Sequence, residues 1–216
     1  MKLYFERHDG HAVTCDDFSQ AIADANPDSP LAQNLQQFRR WYSQAGTPVL
    51  KATGQYDAAA QTYTLTLTLS QSCAATVGQP EKQPFVIPVQ MGLLTASGQQ
   101  IALQLQGEEA AQGASRMLVL TEAEQSFVFT NVADAPVPSL LRGFSAPVVL
   151  ESEFSDAQLL TLLAHDSDPF NQWEASQRLG LRYALKAIAA SGDASTEILP
   201  EAFIEAMRRV LRDDKL

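Results

Sequence analysis

The stretch TYTLTLTLS at residues 62–70 leaves its backbone little choice. Tyr63, Leu65, Leu67 and Leu69 alternate with Thr62, Thr64, Thr66, Thr68 and Ser70, and only an extended strand sorts a period of two onto opposite faces. One face is expected to be buried and the other wet. The same period recurs at 48–53, 85–94, 100–105, 115–120, 125–130 and 147–153, with Ile87, Val89, Met91 and Leu93 on one face of the second of these. Turn-rich segments such as ASGQQ and QGEEAAQG separate the strands. Seven strands over about 100 residues suit an immunoglobulin-like sandwich. Pro84 and Pro88 mark the 85–94 strand as edge or bulged, because proline donates no ladder hydrogen bond.

Helical periodicity flanks this region. Thr14 and Asp17 form a capping-box pattern ahead of Phe18, Ala21, Ile22 and Ala25, and Asn26-Pro27 stops the run. A second short helix is expected to carry Leu31, Leu35, Phe38 and Trp41 or Tyr42, ending at Gly46 and Pro48. After the strands, Ser155 and Gln158 cap a helix bearing Leu159, Leu160, Leu162 and Leu163. Asp168-Pro169 then gives a cap followed by proline at the first helical position. The helix it opens carries Phe170, Trp173, Leu181, Ala184, Leu185 and Ile188 before Gly192. A last helix begins near Pro200 with Phe203, Ile204, Met207, Val210 and Leu211 on one side. The fold class is therefore mainly β with flanking α: a sandwich between a short helical N-terminal piece and about three C-terminal helices.

Charge and composition exclude more than they identify. Of the net charge of −10, residues 1–33 hold six acids against two bases, while 34–150 hold seven against six and are close to neutral. Nucleic-acid binding needs a basic stripe, and the densest basic group, Arg208, Arg209 and Arg212, lies at a helix end that favours cations anyway. No eighteen-residue apolar run exists to cross a bilayer, and charges interrupt MKLYFERHDG before a signal sequence could form. Cys15 and Cys73 read as two reduced thiols, which fits a cytoplasmic protein.

FERHDGHAVTCDDF, residues 5–18, gathers His8, His11, Cys15, Glu6, Asp9, Asp16 and Asp17, the types that ligate metal. Asp9-Gly10 is a turn signal, however, so the two imidazoles are not held on one helix face. His165 lies far away behind a different cap, and no H-E-x-x-H, C-x-x-C or G-x-S-x-G occurs. The stretch is expected to be a surface loop before a helix. FRRWYSQ joins arginines to aromatics, but the spacing of Phe38 and Tyr42 points to packing. Glu108-Glu109 and Asp213-Asp214 read as solvated. No residue is singled out as catalytic, substrate-binding or metal-ligating.

Six blocks carry a resemblance: LYFERHDGHAVTCDDF, FRRWYSQAGTPVL, YTLTLTLSQ, EKQPFVIPV, EQSFVFTNV and PVPSLLRGFSAPVVLE. In this order they resemble the bacterial aminopeptidases of the M1 family of zinc metallopeptidases, most closely over residues 3–175. The resemblance implies that residues 1–42 are the last piece of a thermolysin-like catalytic domain, 43–153 a β-sandwich and 154–216 the first helices of a C-terminal helical domain. It implies an enzyme that removes N-terminal amino acids from peptides, with zinc activating water in the parent protein. The family's H-E-x-x-H, downstream glutamate ligand, G-x-M-E-N and catalytic tyrosine regions have no counterpart in this sequence, so no functional residue is carried over and no zinc is expected here. The implied partners are the remaining domains of the same polypeptide and, through the parent, peptide substrates. The alternative is a free-standing sandwich that binds other proteins. A piece of a longer chain should expose apolar helix faces, such as Leu35 with Phe38 or Phe203 with Met207; a free-standing module should have a polar exterior.

Overall fold

A helix that the sequence does not announce opens the chain: α1 (Lys2–His8) has no side-chain cap, and Asp9 with Gly10, at φ 75°, ends it. The expected surface loop is thus a helix followed by a loop. The computed structural model describes residues 1–57, 64–189 and 199–213, with the backbone alone at 64–67. The capping pattern at Thr14 is realised. Its hydroxyl accepts from the Asp17 amide at 3.2 Å, and the Asp17 carboxylate accepts from the Thr14 amide at 2.8 Å, opening α2 (Cys15–Ala25). The single helix expected next breaks into three turns, α3 (Pro30–Gln33), α4 (Leu35–Phe38) and α5 (Arg40–Ser43). Asn34 causes the first break: its side-chain amide donates to the Pro30 carbonyl at 2.9 Å while its backbone leaves the helical region.

Eight strands, one more than the periodicity suggests, follow among the described residues. They are β1 (Val49–Asp57), β2 (Thr64–Ser72), β3 (Ile87–Leu94), β4 (Gln100–Ile101), β5 (Arg116–Leu120), β6 (Glu124–Phe129), β7 (Val137–Ser139) and β8 (Val149–Ser152). One sheet runs β6-β2-β1-β8, with β8 parallel to β1, and the other β4-β3-β5, with β7 also on β3. β7 escapes periodicity because it is three residues long and has Pro138 at its centre. The expected 100–105 strand is cut to two residues, and Leu105 makes only an isolated bridge to Phe129.

Thr62 and Tyr63 of the alternating stretch lie outside the described residues, as do the side chains of 64–67. At its described end the alternation holds: Leu69 is fully buried, whereas the half-buried Thr68 meets the Ser126 hydroxyl at 2.9 Å. Pro88 sits where β3 pairs only with β5. The Gln90 amide, two residues on and so aimed the same way, donates to Ser145 Oγ at 2.9 Å instead of to a strand. Proline therefore occupies a position where no ladder bond is lost. Farther on, β4 and β7 flank β3 on both sides, so it is an edge only over its first half.

Leu50, Leu69 and Phe129 from one sheet meet Ile87, Val89 and Leu118 from the other, all at most 2% exposed, and close the sandwich core. A second core lies between the sandwich and the C-terminal helices α6 (Asp156–His165), α7 (Pro169–Ala189) and α8 (Glu201–Leu211). β3 is the wall between them: Leu93 belongs to the first core and Leu94 to the second. Ser155 and Gln158 form the expected capping box, with amide bonds of 2.9 and 3.2 Å. Asp168 caps α7 by accepting from the Asn171 amide at 2.9 Å.

α7 buries Ala175, Leu179 and Tyr183, while Trp173, Leu181, Leu185 and Ile188 are 53–68% exposed, an open apolar face of the kind expected of a piece of a longer chain. The expectation for α8 fails: Phe203 and Met207 are not exposed, because α8 folds back along α6 and turns them into the second core. Leu35 and Phe38 are half-buried.

Candidate functional site

The members of the opening cluster do not converge on one point. His8 lies beside the Tyr4 ring, with centroids 5.4 Å apart, and His11 and Cys15 are exposed. Glu6 lies 3.7 Å from Lys2, Asp9 ends α1, Asp16 bridges to Arg39 at 3.1 Å and Asp17 closes the capping box. His165 sits on α6, its ring in the space that a side chain at Gly98 would fill. Among the described residues no group of three or more His, Cys, Asp or Glu is placed to hold a metal ion.

What the fold assembles instead is a pair of junctions gripping the sandwich. The N-terminal one surrounds residues 80–86, a run outside any ladder that includes Pro80 and Pro84 and whose backbone must find side-chain partners. Pro84 O accepts from Gln37 at 3.2 Å and Arg40 at 2.5 Å, and Val86 O accepts from Trp41 Nε1 at 2.9 Å. Gln44 and Gln83 exchange bonds of 2.8 and 2.9 Å, and Gln71 serves both Phe85 backbone groups at 2.7 and 2.9 Å. The Trp41 ring, 4.5 Å from that of Phe85, joins the sandwich core.

At the C-terminal junction the turn after β7 meets the corner between α6 and α7. Leu141, Gly143 and Phe144 all have left-handed φ, 54–61°, and around them the chain turns Arg142 inward. Arg142 is 7% exposed; it donates to Ser139 Oγ at 2.7 Å and to Asp166 Oδ1 at 3.2 Å. Its guanidinium lies on Gly92 of β3, where an added Cβ would come within 2.2 Å. Gly143 donates its amide to Asp168 Oδ2 at 2.7 Å, and Asn171 donates to Ser139 Oγ and Leu140 O at 2.9 and 3.1 Å. Arg178 reaches back to the Ser152 carbonyl at 2.6 Å.

Arg182 and Lys186 hold the Asp156 carboxyl below its usual range, as Arg116 does for Glu108, Arg7 for Asp24 and Thr14 for Asp17. These four stay ionised at neutral pH and cannot serve as proton donors there. Burial, then the nearby Arg209, pushes His165 below its ordinary 6.5. Sequence reasoning missed Arg142 and Asp166, and of the two candidates Trp41 and Tyr42 for the apolar stripe the structure packs Trp41 on the core and leaves Tyr42 exposed. The one local signal was Gly92 inside an apolar strand, which implies a close approach.

Comparison with known proteins gives this scaffold relatives. Residues 46–153 match the family described as domain of unknown function (DUF3458), Ig-like fold, and 156–216 match its companion (DUF3458_C), ARM repeats. The whole chain is 44% identical to aminopeptidase N of Escherichia coli K12, covering 24% of that protein. Aminopeptidase N of Haemophilus influenzae is 42% identical over 83% of this chain, and that of Caulobacter vibrioides 38% identical over 98%. The chain spans only 19–24% of the length of these relatives. A crystal structure of Legionella pneumophila aminopeptidase A in complex with aspartic acid aligns with 99% of this chain and 22% of its own, at 29% identity and a TM-score of 0.72.

Proposed function

The chain belongs to the Ig-like family described as DUF3458, and from that membership we propose that it is the architectural segment of a zinc-dependent aminopeptidase of the M1 class. The observation that carries the reading is the co-linear 44% identity with aminopeptidase N over all 216 residues. On this reading, residues 1–42 are the end of the catalytic domain, 43–153 the sandwich and 154–216 the start of the helical domain. The sandwich holds the helical domain at a fixed separation from the catalytic domain and gives the peptide chamber its walls. The parent protein acts on peptides in the cytoplasm. Residues of this segment contribute no catalytic, substrate-binding or metal-binding group, and no step of the chemistry is assigned to them.

The exposed stripe of Trp173, Leu181, Leu185 and Ile188 favours this reading over a free-standing module, since an isolated helix face of that kind is a liability in water. The test is to add excess zinc to the purified chain and measure bound metal together with release of a fluorophore from a neutral N-terminal substrate. The expected result is neither stoichiometric zinc nor turnover. Stoichiometric zinc with turnover would overturn the assignment and point back to His8, His11, Cys15 and His165.

A further inference from the structure

The contact between the sandwich and α6 is mainly apolar, with Leu94 and Val137 meeting Leu159, Leu162 and Leu163. Apolar contact is non-directional, so it favours burial without fixing where along β3 the helices sit. Direction comes from the polar contacts at the corner, among them Gly143 to Asp168 and Asn171 to Ser139, and the most deeply buried of these is a charge pair. Arg142 starts on the sandwich and ends on Asp166, the residue that caps the end of α6, and the same Asp166 Oδ1 accepts from the Asp168 amide at 3.0 Å. Thus a single carboxylate oxygen ties the sandwich to both sides of the helical corner.

Three features mark this as a device for register rather than for stability. Asp166 Oδ2 is buried and accepts no hydrogen bond from the described residues, so the pair is not arranged for greatest stabilisation. Leu141 and Phe144, which are not glycine, are nevertheless left-handed, a conformation that persists only where the surroundings over-determine it. Gly92 leaves room for a planar guanidinium and for nothing larger on the strand itself.

We propose that Arg142 registers the helical layer on the sandwich, making β3, β7 and the α6–α7 corner one rigid joint. Any relative movement of domains in a longer polypeptide is then displaced to other junctions. The role of Arg142 concerns this chain's own packing, and only its consequence for domain movement rests on the proposed function.

The test labels Met117→Cys on β5 and Gln177→Cys on α7, both exposed, in a full chain with Cys15→Ser and Cys73→Ser, and reads the inter-label distance distribution by pulsed electron resonance. Two variants are compared. Arg142→Lys keeps the charge but loses the fork, and the double variant Arg142→Met with Asp166→Leu removes both charges so that neither is left buried alone. In each, the distribution should broaden about two-fold or more, and amides 159–163 should exchange faster while β1 and β2 amides keep their protection. A distribution as narrow as the native one in both variants would overturn the proposal. So would equal loss of protection in sheet and helices, because Arg142 would then be only part of one cooperative core.

Discussion

The two junctions gripping the sandwich solve the same problem with opposite chemistry. At the N-terminal one, Gln37, Arg40, Trp41 and Gln44 satisfy backbone groups of a proline-bounded segment, and most of these side chains are half-buried. At the C-terminal one, a guanidinium and a carboxylate, 7% and 0% exposed, meet inside the protein. Bonds between side chains and backbone contribute about 1 kcal/mol each, roughly twice that for the charged Arg40, and fail independently. A buried charge is different, because removing its partner leaves a group that water can no longer solvate. The N-terminal junction should therefore be graded, and the C-terminal one close to all-or-none.

The largest break is expected from Arg142→Met alone, which strands Asp166. It should cost about 3–5 kcal/mol, read as a lower urea midpoint. Gly92→Ala comes next, since its Cβ would meet a pinned guanidinium at 2.2 Å, and a loss of about 1–3 kcal/mol is expected in the same assay. If it were neutral, the guanidinium would have room to retreat and the contrast between the junctions would weaken. Trp41→Ala should cost about 2 kcal/mol from lost burial and one hydrogen bond, whereas Gln44→Ala at the same junction should cost about 1 kcal/mol or less. That spread is the graded response.

The smallest effect is a pH dependence. The His165 pKa lies below its ordinary 6.5, so the unfolded chain takes up a proton that the folded chain refuses. Stability should fall as pH drops from 6.5 towards that lowered value and then level off. Below the ordinary 3.8–4.5 of the carboxylates, the contributions of Asp17, Asp24, Glu108 and Asp156 should be lost as each titrates at its depressed value. Thermal melts of His165→Gln across this range should lack the first decline and retain the second.

The sequence was most legible where an interaction is local. The boxes at Thr14 and Ser155 and the cap at Asp168 each need only a few adjacent residues, and all three formed. The alternation around Leu69 and the Ile87-to-Leu93 face needed only the period of a strand. Legibility failed where pattern is too short or ambiguous. β7 has three residues, α1 has no cap to announce it, and Asn34 broke a helix through a side-chain bond that competes with the ladder. For α7, two stripes competed, and the one of smaller residues, Ala175 and Leu179 with Tyr183, faces the core.

The sequence by itself determined a sandwich between helices, the starting points of four of those helices and a family resemblance written in six blocks. Only the tertiary structure decided which face of α7 packs, where Phe203 goes and which charge is buried. The reason is one of range: caps and strand alternation are set by neighbours along the chain, whereas Arg142 and Asp166 stand twenty-four residues apart and meet only once β3, β7 and the α6–α7 corner have closed around them.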